Sequence, residues 1–315
     1  MADSVFHADK VITQHISGSD FCTYFVGFDL GEDGKNHYRW KDLINLLQKV
    51  IPEFAFGLHQ GADVPQAEIT HRLAEAAKAI YKIDEYAKVR ELHEENKALA
   101  DDDPQKKYLT RGEFGELLLH LILRDFHETI PLISKIYFKD SHGATVHGFD
   151  AVHIQLSTKS LWLGESKLYY DGKRGIAALI EDIKEHIKAD YLQDEFSIIS
   201  KKLKILDHEI PEKQHWLDLM HESTKLADVL ESVTIPILCT YTSDNFTNHD
   251  DVTKEFIQAY EKEVEELKKY FESRNDHPLK TKLNVVLMLF PVQSKDLLVR
   301  KMHNKLIRLQ GIEDE

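Results

Sequence analysis

With 315 residues, 42% of them hydrophobic and 30% charged, the chain can bury a substantial core in one large domain or two modest ones. No run of about 18 apolar residues is present to span a membrane, and the opening MADSVFHADK lacks the apolar core of a signal peptide, so a cytoplasmic protein with no membrane partner is expected. A formal charge of −14 argues against a free-standing nucleic-acid binder, whose phosphate contacts depend on Lys and Arg, and two isolated cysteines, Cys22 and Cys239, argue against disulfides and structural zinc.

Phe21–Phe28 reads as a strand, Gly31–Lys35 as a turn, and Tyr38–Val50 as an amphipathic helix with Trp40, Leu43, Leu46 and Leu47 on its apolar side. Glu53–Leu58 is expected to return as a strand. Asp29, Glu32 and Asp33 form an acidic turn best explained as a solvated loop. From Gln66 to about Ala98, apolar residues from Ile69 through Ile80, Ile83, Tyr86 and Val89 recur at spacings of three and four, which predicts a long packed helix. ALADDDPQKK then combines acids, a proline and lysines, and divides an N-terminal α+β region, 1–105, from a second domain, 106–315.

Thr110 is placed to cap a helix beginning RGEFGE, with Phe114, Leu117, Leu118, Leu121, Ile122 and Phe126 as its apolar stripe. Glu113 and Glu116 lie in its first turns, where the helix dipole alone accounts for carboxylates. Alternatively, Glu116 reaches a metal cluster on a neighbouring sheet, with Gly112 and Gly115 permitting close approach. Leu132–Phe138 reads as a strand, His142–Gly143 as a turn, and HGFDAVHIQLSTKSLWLGESK as two strands joined at Ser157–Ser160.

By parity, Val146, Asp150, Val152, Ile154 and Leu156 share one face of the first of these strands, and Leu161, Leu163, Glu165 and Lys167 one face of the second. If Leu156 pairs with Leu161, Asp150 faces Lys167 and lies diagonal to Glu165 within roughly 8 Å, which suits one shared metal ion. Charge on a core-facing strand is costly unless paired, hydrated or bound to a cation. An acid followed by acid-x-Lys on the next strand is the constellation of the PD-(D/E)xK nucleases, in which carboxylates hold Mg²⁺ and the lysine orients the attacking water. Acid-x-Lys also occurs at Asp33/Lys35, Glu95/Lys97, Asp171/Lys173, Asp182/Lys184 and Glu266/Lys268, but only Glu165/Lys167 follows an apolar strand. A cross-strand Asp150–Lys167 ion pair with Glu165 solvated would explain the same residues without chemistry.

Asp171–Gly175 then reads as a turn and Ile176–Tyr191 as a helix, followed by a helical insertion at about 191–232. Val233–Tyr241 and Leu283–Phe290 are strands, the latter buried on both faces, and Val252–Ser273 and Ser294–Leu309 are helices. The expected fold is α/β, a mixed central sheet flanked by helices. Lys167, Lys173 and Arg174, nearer the carboxylates than the last helix is, are the better candidates to hold a DNA phosphodiester. The last helix is locally basic, with Lys295, Arg300, Lys301, Lys305 and Arg308 against one acid, Asp296, a pattern that fits a phosphate contact, a solvated helix face or a contact with an acidic partner.

RGEFGELLLH, HGFDAVHI, LWLGESK and NVVLMLFPVQSKDLLVRKMHNKL together resemble HamA, the nuclease subunit family of the Hachiman antiphage defence system in bacteria, from about residue 108 onward, with weaker similarity before it. The resemblance implies a restriction-endonuclease-like PD-(D/E)xK fold, cleavage of DNA dependent on Mg²⁺ or Mn²⁺, and a complex with HamB, a superfamily 2 helicase. It assigns catalytic roles to Glu116, Asp150, Glu165 and Lys167. Asp150 and Glu165 would be metal ligands, Lys167 the water-orienting residue, and Glu116 a further ligand or ligand-orienting acid, with Glu113 one turn away as its alternative. The helicase would supply most of the DNA affinity. Two rivals are a non-catalytic subunit that restrains its partner and a standalone restriction-like or junction-resolving endonuclease.

Overall fold

The computed structural model describes residues 4–61, 66–80, 112–133, 148–205 and 210–311. Its strands are β1 (Ile12–Ser17), β2 (Phe21–Val26), β3 (Phe28–Leu30), β4 (Asn36–Tyr38), β5 (Ile130–Ile133), β6 (Ala151–Gln155), β7 (Ser160–Tyr169), β8 (Val233–Thr242) and β9 (Asn284–Val292). Around them lie helices α1 (Trp40–Gly61), α2 (Ile69–Ile80), α3 (Glu113–Phe126), α4 (Gly172–His186), α5 (Ala189–Ile205), α6 (Lys213–Leu219), α7 (Leu226–Ser232), α8 (Asn245–Asn248), α9 (Lys254–Arg274) and α10 (Lys295–Gln310).

Seven strands form one mixed sheet in the order β1-β2-β9-β8-β7-β6-β5, while β3 and β4 make a separate hairpin. The β2–β9, β9–β8 and β8–β7 pairings are parallel and the outer three antiparallel. Strands β8 and β9 are apolar along nearly their whole length because helices cover both of their faces. Helices α1, α3 and α10 pack together on one side, while α4 and α9 pack on the other, against β7, β8 and β2.

The sheet runs through the expected division of the chain. Phe21 of β2 pairs with Leu287 of β9, so the strands of region 1–105 extend the sheet of region 106–315. The boundary itself, with Ile83, Tyr86 and Val89, lies outside the described residues, as do 134–147 of the expected Leu132–Phe138 strand and its turn. Glu53–Leu58 is not a strand: it continues α1, where Phe54, Ala55 and Phe56 are buried, and Gly57 at φ 77 marks a kink. The insertion at 191–232 holds α5, α6 and α7. Helix α4 begins earlier than expected, because Asp171 Oδ1 accepts a hydrogen bond from the Arg174 N–H and caps it, bringing Lys173 and Arg174 into the first turn.

A buried polar chain ties α1 to the sheet. Glu53 Oε1 lies 2.5 Å from Arg124 Nε and 3.1 Å from His120 Nε2, His120 Nδ1 is 3.2 Å from His153 Nε2, and His153 Nδ1 is 2.8 Å from Thr129 Oγ1. Among the described residues, no helix is long and apolar enough to cross a membrane.

Candidate active site

The β6–β7 hairpin closes on polar contacts. Gln155 stands opposite Ser160, the Thr158 hydroxyl is 2.7 Å from Gln155 Oε1 and from Ser160 Oγ, and Lys159 takes a left-handed conformation at φ 54. The turn is therefore 156–159. Ile154 pairs with Leu161, Val152 with Leu163 and Ala151 with Gly164, a register two residues from the expected one. An even shift leaves every side chain on its face, but it brings Asp150 beside Glu165 rather than opposite Lys167. Asp150 Oδ2 accepts hydrogen bonds from the Ser166 N–H at 2.8 Å and the Ser166 hydroxyl at 2.9 Å.

Gly164, Ser166 and Leu168 turn toward α3. A methyl group built on Gly164 would lie 2.9 Å from Leu119 Cδ2, and one on Gly115 would lie 3.4 Å from Ser166 Oγ. Of the two glycines expected to permit close approach, Gly115 is at the contact; Gly112 has nothing within 4 Å. This contact sets Glu116, on the first turn of α3, within electrostatic reach of Glu165.

Glu165 and Lys167 face α4. Glu165 is only 3% exposed, and its Oε1 is 2.5 Å from His186 Nδ1. Lys167 Nζ is 2.6 Å from Asp182 Oδ2. Glu165 is therefore buried rather than solvated, and the partner of Lys167 is Asp182. Tyr191 of α5 stacks on His186 with ring centres 4.4 Å apart. Glu195, also on α5 and 3% exposed, carries an Oε2 with no hydrogen-bond partner among the described residues, and a methyl group on Gly148 would come within 2.9 Å of it.

Burial pushes the Glu165 carboxyl well above the usual carboxylate range; Asp150, Asp182 and Glu116 add to that push and Lys167 opposes it. For Lys167, burial acts downward, but the bonded Asp182, with Asp150 and Glu165, more than offsets it and keeps the ammonium charged beyond the ordinary lysine value. Burial lowers the His186 imidazole, with Asp182 acting against it. Burial raises Glu195 to about 7.

Among the described residues, no group of three or more His, Cys, Asp or Glu side chains forms a ready-made metal cage. The donor set still suits Mg²⁺ or Mn²⁺. Its oxygens are hard carboxylate ligands, the repulsion on buried Glu165 is what a divalent cation would relieve, and Mg²⁺ is commonly held by one or two carboxylates with waters and a substrate phosphate. Lys173 and Arg174 are exposed at the start of α4, without an ion-pair partner among the described residues. Cys22 and Cys239 are buried free thiols.

Sequence reasoning brought Glu116, Asp150, Glu165 and Lys167 together but missed Asp182, His186, Tyr191 and Glu195. One signal was present: His186 follows Ile176, Leu179 and Ile183 along the buried stripe of α4.

A comparison with curated proteins returns no match. The sequence profile named HamA matches residues 4–306, taking in the N-terminal strands as well as the hairpin, and the chain accordingly belongs to the HamA family of Hachiman defence-related proteins.

Proposed function

We propose that the chain is a divalent-metal-dependent deoxyribonuclease of the PD-(D/E)xK class, acting in antiphage defence within a complex with a HamB-like superfamily 2 helicase. The observation that carries the proposal is buried Glu165, set beside Asp150, which immediately precedes β6 and bonds to Ser166, and followed at the second residue by Lys167 on the same face. A carboxylate crowded by Asp150, Asp182 and Glu116 is unfavourable in a metal-free fold, and such arrangements are concentrated at functional sites.

Asp150 and Glu165 would hold Mg²⁺ or Mn²⁺, with Glu116 as the third acid. Bound there, the metal would polarise the phosphodiester and acidify a water. Lys167 has the complementary task. Kept cationic and aimed by Asp182, it orients the attacking water and stabilises charge gathering on the phosphate, and as an ammonium it is not the proton acceptor. Ser166 and His186 fix the orientations of Asp150 and Glu165. Lys173 and Arg174 would hold the phosphodiester chain beside the site. With a formal charge of −14, the chain leaves most DNA affinity to its helicase partner.

The test is cleavage of linear and supercoiled DNA by the chain, with and without the helicase, in Mg²⁺ or EDTA, alongside Glu165→Ala. Metal-dependent cutting that vanishes in the variant is expected. Cutting that persists in Glu165→Ala overturns the assignment, and robust cutting at a defined site or branch by the chain alone would make it a standalone endonuclease.

The Glu165–His186 and Lys167–Asp182 contacts also favour a second function, in which the site is closed by its own side chains and the chain only binds and restrains its partner. Intact defence after replacing Asp150, Glu165 and Lys167 together would select it.

A further inference from the structure

Apart from the hairpin, α1 and α10 pack side by side and leave a surface groove of about 380 Å³ between them. Lys41 and Asn45 line it from α1, and Lys301, Asn304, Lys305 and Arg308 from α10. The α10 cations recur at spacings of four and three, so one helix face presents all three over roughly 10 Å at about 1.5 Å per residue. No carboxylate lines the groove, and none of its four cations forms an ion pair with a described residue. Lys305 Nζ donates instead to Asn45 Oδ1 at 3.2 Å, a neutral acceptor that leaves its charge uncompensated. Trp40 also lines it, its indole N–H held by Gln293 Oε1 at 2.8 Å.

Four unneutralised cations gathered in one groove run against the sign of a chain whose formal charge is −14. Such a field attracts a polyanion and costs self-repulsion in its absence. We propose that the α1–α10 groove binds the sugar–phosphate backbone of a nucleic acid, without regard to base sequence, as a contact separate from the carboxylate site. A row of lysines and an arginine flanked by amide donors fits a chain of regularly spaced phosphates. The choice of nucleic acid over an acidic protein segment rests on the nuclease function proposed above. This contact gives an acidic chain a local hold on nucleic acid without a basic surface overall.

The experiment is binding of a fluorescent 30-bp duplex to the full chain in EDTA, by anisotropy, across a salt series. Lys301→Ala/Lys305→Ala should weaken binding roughly ten-fold and make the slope of log K against log [salt] shallower by about 2, since each phosphate contact contributes about 0.9. Arg308→Ala alone should lower the slope by about 1. A control pair on α9, Lys262→Ala/Lys269→Ala, should change neither. Unchanged binding in the groove variants, an equal loss in the control pair, or no duplex binding by the parent chain overturns the proposal. Binding of a poly-glutamate peptide but not of the duplex, lost in the groove variants, would make the groove a protein-docking surface instead. EDTA keeps cleavage out of the measurement, so failure of the nuclease function would be read separately, as uncut DNA in Mg²⁺ with groove binding intact.

Discussion

Lys167 Nζ on β7 lies 2.6 Å from Asp182 Oδ2 on α4, so the one lysine of β7 is aimed by a residue of the following helix. Asp182→Asn removes that charge and leaves the ammonium to the pull of Asp150 and Glu165. Metal-dependent cleavage should fall by roughly 10–100-fold, the usual effect of losing a partner that orients a functional group. Duplex affinity in EDTA should be unchanged. Single-turnover rates and anisotropy check both, and a fully active variant would remove Asp182 from the site.

Replacing Glu165 should separate stability from function. Glu165→Gln keeps the shape and removes the repulsion from Asp150, Asp182 and Glu116 that acts on the buried carboxylate. In EDTA its melting temperature should match or exceed that of the parent. Added Mg²⁺ should raise the parent's melting temperature and not the variant's, because only a native state with the site intact gains binding energy. Thermal melts with and without Mg²⁺ read both effects, and a drop of several degrees for Glu165→Gln in EDTA would contradict the electrostatic picture.

Acid should weaken the fold through the buried chain between α1 and β6. Burial, with His120 and Arg124 adding, holds the His153 imidazole well below its ordinary 6.5. Burial acts upward on Glu53, but His120 and Arg124 more than offset it and hold the carboxyl below its ordinary 4.5. Both values are depressed in the folded state, so the unfolded chain takes up protons first as pH falls. The His153 contribution is complete above about 6.5 and is lost below it; that of Glu53 is complete above about 4.5. Unfolding free energies from urea melts should therefore fall from pH 7 to pH 5, by up to about 1.4 kcal/mol per pH unit for the imidazole alone. His153→Gln should flatten that slope, and a parent whose stability is flat over this window would contradict the sign.

Gly164→Ala tests the packing that delivers Glu116. The added methyl meets Leu119 Cδ2 at 2.9 Å, Pro236 Cγ at 3.2 Å and Ala151 Cβ at 3.3 Å, so the Leu119 side chain has to shift within the packed contact between α3 and the sheet. A loss of about 1–3 kcal/mol is expected from such overpacking, together with slower cleavage. Denaturant melts and rates on one sample should show the two falling together.

Glu165 and Lys167 were legible because they interrupt an apolar strand at alternate positions, and α3 was legible from its stripe. Register was not. Apolar pattern alone favours Leu156 opposite Leu161, whereas Gln155, Thr158 and Ser160 close the hairpin through hydrogen bonds that periodicity does not encode. Asp182 stood among several acid-x-Lys matches, and its role comes from α4 lying against β7, a tertiary fact. Glu53–Leu58 is a short apolar run of the kind that suits a strand or a helix equally, and here the helix before it continues through. Strand β1 was missed because Ile12 is its only fully buried residue, so ITQHIS shows little alternation and owes its conformation to pairing with β2.

The parallel pairing of β2 with β9 sets a timetable for assembly. Phe21 meets Leu287, and β9 lies between β2 and β8, so the middle of the sheet waits for a strand far downstream of β2 in the chain. Contacts between residues so far apart in sequence form slowly, and until they form the early ribbon and β8 each present an open edge. A chain halted before Asn284 would carry both edges exposed, and premature termination should end in aggregation or degradation rather than in a smaller working protein.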